Sequence, residues 1–95
     1  MATTMIVKHK VSNFENWKRV YDEFASTRKE KGVIGASVHR DANDPNIIFV
    51  THQFKDMNAA TAFVGSEELK TAMANAGVVG PPDIWFTKDV EQTPY

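Results

Sequence analysis

The chain has 95 residues, 42% of them hydrophobic and 24% charged, with a net charge of −1 and no cysteine. A chain of that length is expected to form one domain, residues 1–95 with a core over about 4–90, burying only ~60–70% of its unfolded surface. The composition excludes a disulfide framework, a thiolate metal site and a thiol nucleophile, and the interspersed charges give nucleic acid no basic face to bind.

Taken in chain order, "MIVKHKV" alternates as a first strand from about Thr4 to Val11. Met5, Val7, His9 and Val11 share one side, and Ile6, Lys8 and Lys10 the other. "SNFE" reads as a capping box in which Ser12 accepts from the Glu15 amide, starting a helix over about Asn13 to Lys31. Phe14, Trp17, Val20, Tyr21, Phe24 and Arg28 form its apolar stripe, and Gly32 ends it in a left-handed cap. A second strand, about Gly35 to Asp41, leads through the turn formers of "DANDPN" into a third, Asn46 to Phe54. Ile48, Val50, His52 and Phe54 lie on one face of the third strand, with Ile47, Phe49, Thr51 and Gln53 on the other. Asp56 caps a short helix, Met57 to Val64, with Met57, Ala60, Phe63 and Val64 inward. Ser66 caps another, Glu67 to Ala76, with Leu69, Ala72, Met73 and Ala76 inward. "GPP" then leads into a last strand, Asp83 to Val90, and the tail to Tyr95 has no periodicity.

The order β-α-β-β-α-β, with the second helical segment split, predicts a ferredoxin-like α+β fold. Its four-stranded antiparallel sheet sets the first and third strands side by side, with the helices on one face. The third strand is substantially apolar on both faces, whereas a sheet wet on one side shows a polar face there. A second copy of the sheet is the simplest cover, so a homodimer through the sheet faces is expected. No apolar run approaches the ~18 residues of a membrane span, and Met1 to Thr4 carries no leader pattern. A cytoplasmic protein with no membrane partner is the expectation.

"VKHKVSNFENW", "RDANDPN" and "SEELKTAMANAGVVGPPD" together resemble the dimeric α+β barrel superfamily over about residues 5 to 90. The branch they are most similar to is the antibiotic biosynthesis monooxygenase-like or cyclase-like one. That resemblance implies a barrel closed across a dimer, with a pocket in each subunit between sheet and helices. It also implies a choice among several chemistries. These are cofactor-independent oxygenation of aromatic polyketides, polyketide cyclisation, haem degradation, and small-molecule isomerisation or lysis. The Asn/Trp/His arrangement of the haem degraders has no match at these positions.

His9 and His52 both fall on the helix-facing side of strands expected to be neighbours. Trp17, Tyr21, Phe24, Phe63, Leu69 and Met73 are expected to wall the space above them. A neutral imidazole there can take a proton from an acidic carbon or phenol. Tyr21 can donate to the developing oxyanion, and Arg28 at the rim can hold an anionic substituent. The plain alternative is that both histidines are satisfied core residues and the aromatics mere core. His39 is expected to be exposed or at the dimer seam, Trp85 to line either barrel or pocket, and Arg40 and Asp41 to serve the hairpin. The three histidines lack the short spacing of a metal site, "VVGPP" is a turn and not a phosphate cradle, and nothing calls for a cofactor. The function so read is a small aromatic- or polyketide-binding dimer with a histidine base, performing cofactor-free oxygenation or cyclisation. The alternatives are a non-catalytic ligand-binding or stress-associated dimer and a haem-binding protein.

Overall fold

The computed structural model describes residues 2–95. Strand β1 (Thr3–Val11) is followed by helices α1 (Phe14–Glu23) and α2 (Ala25–Glu30), then by strands β2 (Gly35–Arg40) and β3 (Ile47–Phe54). Helices α3 (Met57–Val64) and α4 (Glu67–Asn75) lead to strand β4 (Val78–Lys88). The strands form one antiparallel sheet in the order β2-β3-β1-β4, so β1 and β3 are central neighbours as the crossover rule requires. Among the described residues, no helix is long and apolar enough to cross a membrane.

Alternation does the folding work in the two central strands. Thr3, Met5, Val7, His9 and Val11 of β1 are buried, as are Ile48, Val50, His52 and Phe54 of β3, while the residues between them are more accessible. The buried faces meet the helices in two adjoining clusters. Met5, Val7 and Phe54 pack with Ala60 and Phe63 of α3. Val11, Ile48 and Val50 pack with Trp17 of α1 and with Ala76 just beyond α4. Each large side chain so buried contributes ~1.5–3 kcal/mol.

Several local expectations are corrected. The cap of α1 is Asn13, whose side chain accepts from the Asn16 amide at 2.9 Å, and not Ser12. Ser12 is engaged elsewhere: its amide donates to the Gly77 carbonyl, tying the start of α1 to the end of α4. The expected long helix is interrupted at Phe24, whose amide is shared between the carbonyls of Val20 and Tyr21. Met57, the first residue of α3, is exposed, leaving Ala60 and Phe63 as its buried residues. Asp41 lies just beyond β2 and instead accepts from the amides of Asn43 and Asp44 in the hairpin.

The last strand also starts earlier than the sequence indicates. Val78 and Val79 already pair with Val11 and Lys10, and pairing resumes at Asp83 opposite Lys8. Gly80, Pro81 and Pro82 therefore form a bulge opposite His9. Two prolines are tolerated inside a strand because β4 is an edge, where an amide has no ladder partner to lose. Gly77, at φ +76°, makes the left-handed turn out of α4, and a side chain there would meet the Ser12 hydroxyl.

Candidate functional site

Antiparallel register places the two histidines. His9 stands opposite Ile48 and His52 opposite Met5, with the Val7–Val50 pair between them on the same face. Both are buried, at 8% and 7% exposure. The His9 ring meets Trp17 edge-on, 5.6 Å between centroids, and His52 lies against Phe63 at 5.3 Å. Both nitrogens of His9 and Nδ1 of His52 are sealed from solvent and have no hydrogen-bond partner. A buried polar atom left unsatisfied costs ~1–3 kcal/mol, so the fold carries these nitrogens at a penalty.

The same burial sets their charge. Desolvation pushes His9 down to about 4. It does the same to His52, helped by the positive charges of Arg28 and His9. Both imidazoles are therefore neutral at pH 7, ready to accept a proton without first losing one.

Above them lies a narrow, largely apolar cavity of about 70 Å³. The candidate base, oxyanion and wall residues of the sequence analysis all border it. Trp17, Tyr21, Phe24 and Arg28 come from α1, its break and α2; Phe63 comes from α3; Leu69 and Met73 come from α4; and His9 and His52 form the floor. Ile84 of β4 and Met5 of β1 also line it, and the sequence pattern did not mark either as a site residue.

Two of the wall residues, Trp17 and Tyr21, belong to a stack of rings. Phe14, Trp17 and Tyr21 lie nearly parallel, with centroids 6.0 and 5.1 Å apart, at the three- and four-residue spacing of a helix face. An arginine closes each end: Arg40 of β2 sits 3.9 Å from the centre of Phe14, and Arg28 sits 3.7 Å from that of Tyr21. Arg28 also donates to the Tyr21 carbonyl, one of the last four of α1, where a cation suits the helix dipole. Arg28 is thereby held at the cavity, and among the described residues no carboxylate lines that space.

The remaining candidates fall elsewhere. Trp85 is opposite Ile6 on the outer face of the sheet, away from the cavity, and is half exposed. His39 is on that outer face too, its Nε2 3.0 Å from the Ser37 hydroxyl, which in turn contacts Thr51. Arg40 donates to the Pro45 carbonyl across the hairpin. Glu68 pairs with Lys31 at 2.8 Å, joining α4 to the end of α2. Among the described residues, no three His, Cys, Asp or Glu side chains gather into a metal-holding group. The cavity has no room for a haem in this conformation.

With this geometry in hand, comparison with known proteins identifies the chain's relatives. The family model for antibiotic biosynthesis monooxygenase matches residues 7–75, from the middle of β1 to the end of α4. The chain belongs to the antibiotic biosynthesis monooxygenase family. The matched span holds all the cavity-lining candidates, His9 near its start and Met73 near its end. No curated relative matches in sequence.

Solved structures with this fold are distant in sequence. A candidate antibiotic biosynthesis monooxygenase from Caulobacter crescentus is 20% identical, with a TM-score of 0.77 over 95% of this chain and 91% of that one. SnoaB, a cofactor-independent oxygenase from Streptomyces nogalater, is 10% identical, with a TM-score of 0.81 over 99% of this chain and 98% of that one. A conserved protein from Methanosarcina mazei is 17% identical, with a TM-score of 0.77 over 95% of this chain and 94% of that one. At such identities the likeness shows the shared monooxygenase-family fold and not a shared substrate.

Proposed function

We propose that this member of the monooxygenase family is a cofactor-independent oxygenase or cyclase of a small aromatic or polyketide-like molecule, with His52 as the general base. The observation that carries the reading is the pair of buried, neutral imidazoles on the floor of an apolar cavity where Arg28 is the one cation among the described residues. His52 is chosen over His9 because both nitrogens of His9 are sealed, whereas only Nδ1 of His52 is. An anion formed at His52 has the Arg28 guanidinium within electrostatic reach.

The chemistry follows from the charges. An imidazole held near 4 is neutral but a weak base on its own. Proton transfer becomes favourable when the acid formed and the anion left behind are created side by side in a dry site, each stabilising the other. Arg28 adds to the stabilisation of the anion, and the Tyr21 hydroxyl donates to it, the ring being held between Trp17 and Arg28. His9, edge-on to Trp17, offers a second hydrogen bond that orients the ligand. The carbanion so formed either passes an electron to dioxygen or attacks a carbonyl of its own chain, and both outcomes begin with the same proton removal.

The working unit is a homodimer. The outer face of the sheet presents Ile6, Phe49 and Trp85 with no helix over them, and Trp85 is 50% exposed. A second copy seated face to face would cover that apolar area.

The test is turnover of anthrone- and hydroxyquinol-like compounds by His52→Gln and His9→Gln variants, with full activity in both defeating the base assignment. One observation favours a second reading, a non-catalytic dimer. The cavity of about 70 Å³ is far below the ~300 Å³ of ordinary ligand pockets. It is also below the ~150 Å³ that admits benzene. On that reading the imidazole signals stay unchanged when such ligands are added.

A further inference from the structure

The outer face of the sheet carries a pattern that dictates how a second copy can lie on it. Register sorts its side chains into rows that run across the strands. Ser37, Thr51, Ile6 and Trp85 form one row, from β2 through β3 and β1 to β4, and His39, Phe49, Lys8 and Asp83 form the next. Gly35, Gln53, Thr4 and Thr87 lie to one side of these, and Ile47 and Lys10 to the other. Charge is segregated by strand: both lysines are on β1, the imidazole is on β2 and the carboxylate is on β4. Among the described residues, no ion pair engages Lys8, Lys10 or Asp83. His39 and Asp83 are exposed, and the contact of His39 with Ser37 uses only Nε2.

Stacked sheets keep their strands within ~30° of alignment, so a two-fold axis between two copies runs either across the strands or along them. An axis across the strands lays each strand on its own copy. It sets the lysines of β1 against the partner's β1, cation towards cation, and leaves Asp83 with no cation opposite. An axis along the strands, between β1 and β3, keeps the rows and exchanges the margins. β1 then lies over the partner's β3, whose outward residues Ile47, Phe49, Thr51 and Gln53 are uncharged, and β2 lies over the partner's β4. Size matches as well as charge. Trp85 falls over the partner's Ser37, and Thr87 over the partner's Gly35.

We infer that two copies pair about an axis along the strands, with His39 of each bonded to the partner's Asp83 and Phe49 of each facing the partner's Lys8. The inference rests on the homodimer proposed above and fixes its geometry. The apolar residues of this face, Ile6, Phe49 and Trp85, would accept several arrangements, and the two reciprocal imidazole–carboxylate contacts select one of them.

The experiment mixes two full-length variants, His39→Glu and Asp83→Lys, and reads the dimers by native mass spectrometry. Alone, His39→Glu sets acid against acid and Asp83→Lys sets a cation against the imidazole, so each pairs more weakly than the native chain. In the mixture, the dimer of unlike chains joins the new acid to the new cation and keeps one native contact. It is expected to exceed its random share severalfold. A random share, with the native chain dimeric, would overturn the axis and leave the homodimer standing. A native chain that sediments as a single subunit would overturn both. If either variant fails to fold, cysteine decides, since the chain has none. Ser37→Cys and Trp85→Cys proteins are expected to be joined by a short bismaleimide only when mixed. Joining of Trp85→Cys to itself, or none in the mixture, would overturn the axis.

Discussion

The Arg28 guanidinium lies over the Tyr21 ring, its carbon 3.7 Å from the ring centre, and donates to the carbonyl of the same residue. One side chain thus ends a ring stack, satisfies a helix terminus and places the one positive charge that lines the cavity among the described residues. Replacing it by Met removes a stacked cation worth ~0.5–2 kcal/mol and a charged hydrogen bond worth ~1.5–3 kcal/mol. With partial relaxation, Arg28→Met is expected to lower unfolding stability by about 1–3 kcal/mol in urea melts. Arg28→Lys is expected to recover little of it, because an ammonium cannot stack as a plane. The His52 midpoint is expected to move upward in Arg28→Met, because a repelling charge has gone, and to move less in Arg28→Lys, which keeps that charge.

Acid sensitivity of the fold follows from the same two histidines. In the native chain they remain neutral down to about pH 4. In the unfolded chain they take up protons below about 6.5. Between those values the unfolded state binds more protons, so stability is expected to fall as pH drops from about 6.5 to about 4 and to level off below. Each histidine accounts for up to roughly 3 kcal/mol across that window. Denaturant melts at half-unit pH steps measure the slope, which a His9→Gln, His52→Gln double variant is expected to lose.

Activity should follow a different pH profile from that of an ordinary histidine enzyme. The base is already neutral throughout pH 6–8, so the rise in kcat/KM is expected near pH 4 and not near 6.5. His52→Gln is expected to lower kcat by ~10²–10⁴-fold and to abolish that limb. His9→Gln is expected to act mainly on KM. An ascending limb centred at 6.5 in the native protein would contradict the buried-base assignment.

The association state is open to a surface substitution. Trp85→Glu lies on the outer face, away from both core clusters. Sedimentation equilibrium of the native chain is expected to give twice the 10.6 kDa of one subunit, and that of Trp85→Glu the single mass. Melting of the variant by circular dichroism separates loss of pairing from loss of fold.

The central strands were legible because period-two alternation survives any context. Val7, His9 and Val11, like Val50, His52 and Phe54, had only one way to face. The wall residues were equally legible, since a stripe at three- and four-residue spacing finds the sheet whatever the details of its helix. Features that depend on distant neighbours were not. Ser12 and Asn13 are both good caps, and the choice between them was made by Gly77, sixty-odd positions away. The early start of β4 depends on Lys10 and Val11 being free to pair beyond a bulge, which no local signal announces. Arg40 was assigned to the hairpin, which it serves, but its stacking on Phe14 requires knowing that β2 runs beneath the start of α1. Cavity size was beyond reach, because it is a small difference between large packed volumes.

The bulge of Gly80, Pro81 and Pro82 has a bearing on how copies of this protein avoid one another. An uninterrupted outer strand is a template on which further chains can add edge to edge, layer after layer, into fibres. Here one margin of the sheet carries two residues with no N–H to offer and a backbone bent out of line, so extension from that side is cut short. Growth by strand addition is thus cut short where β4 carries the bulge, and β2, at the opposite margin, is the edge left unbroken.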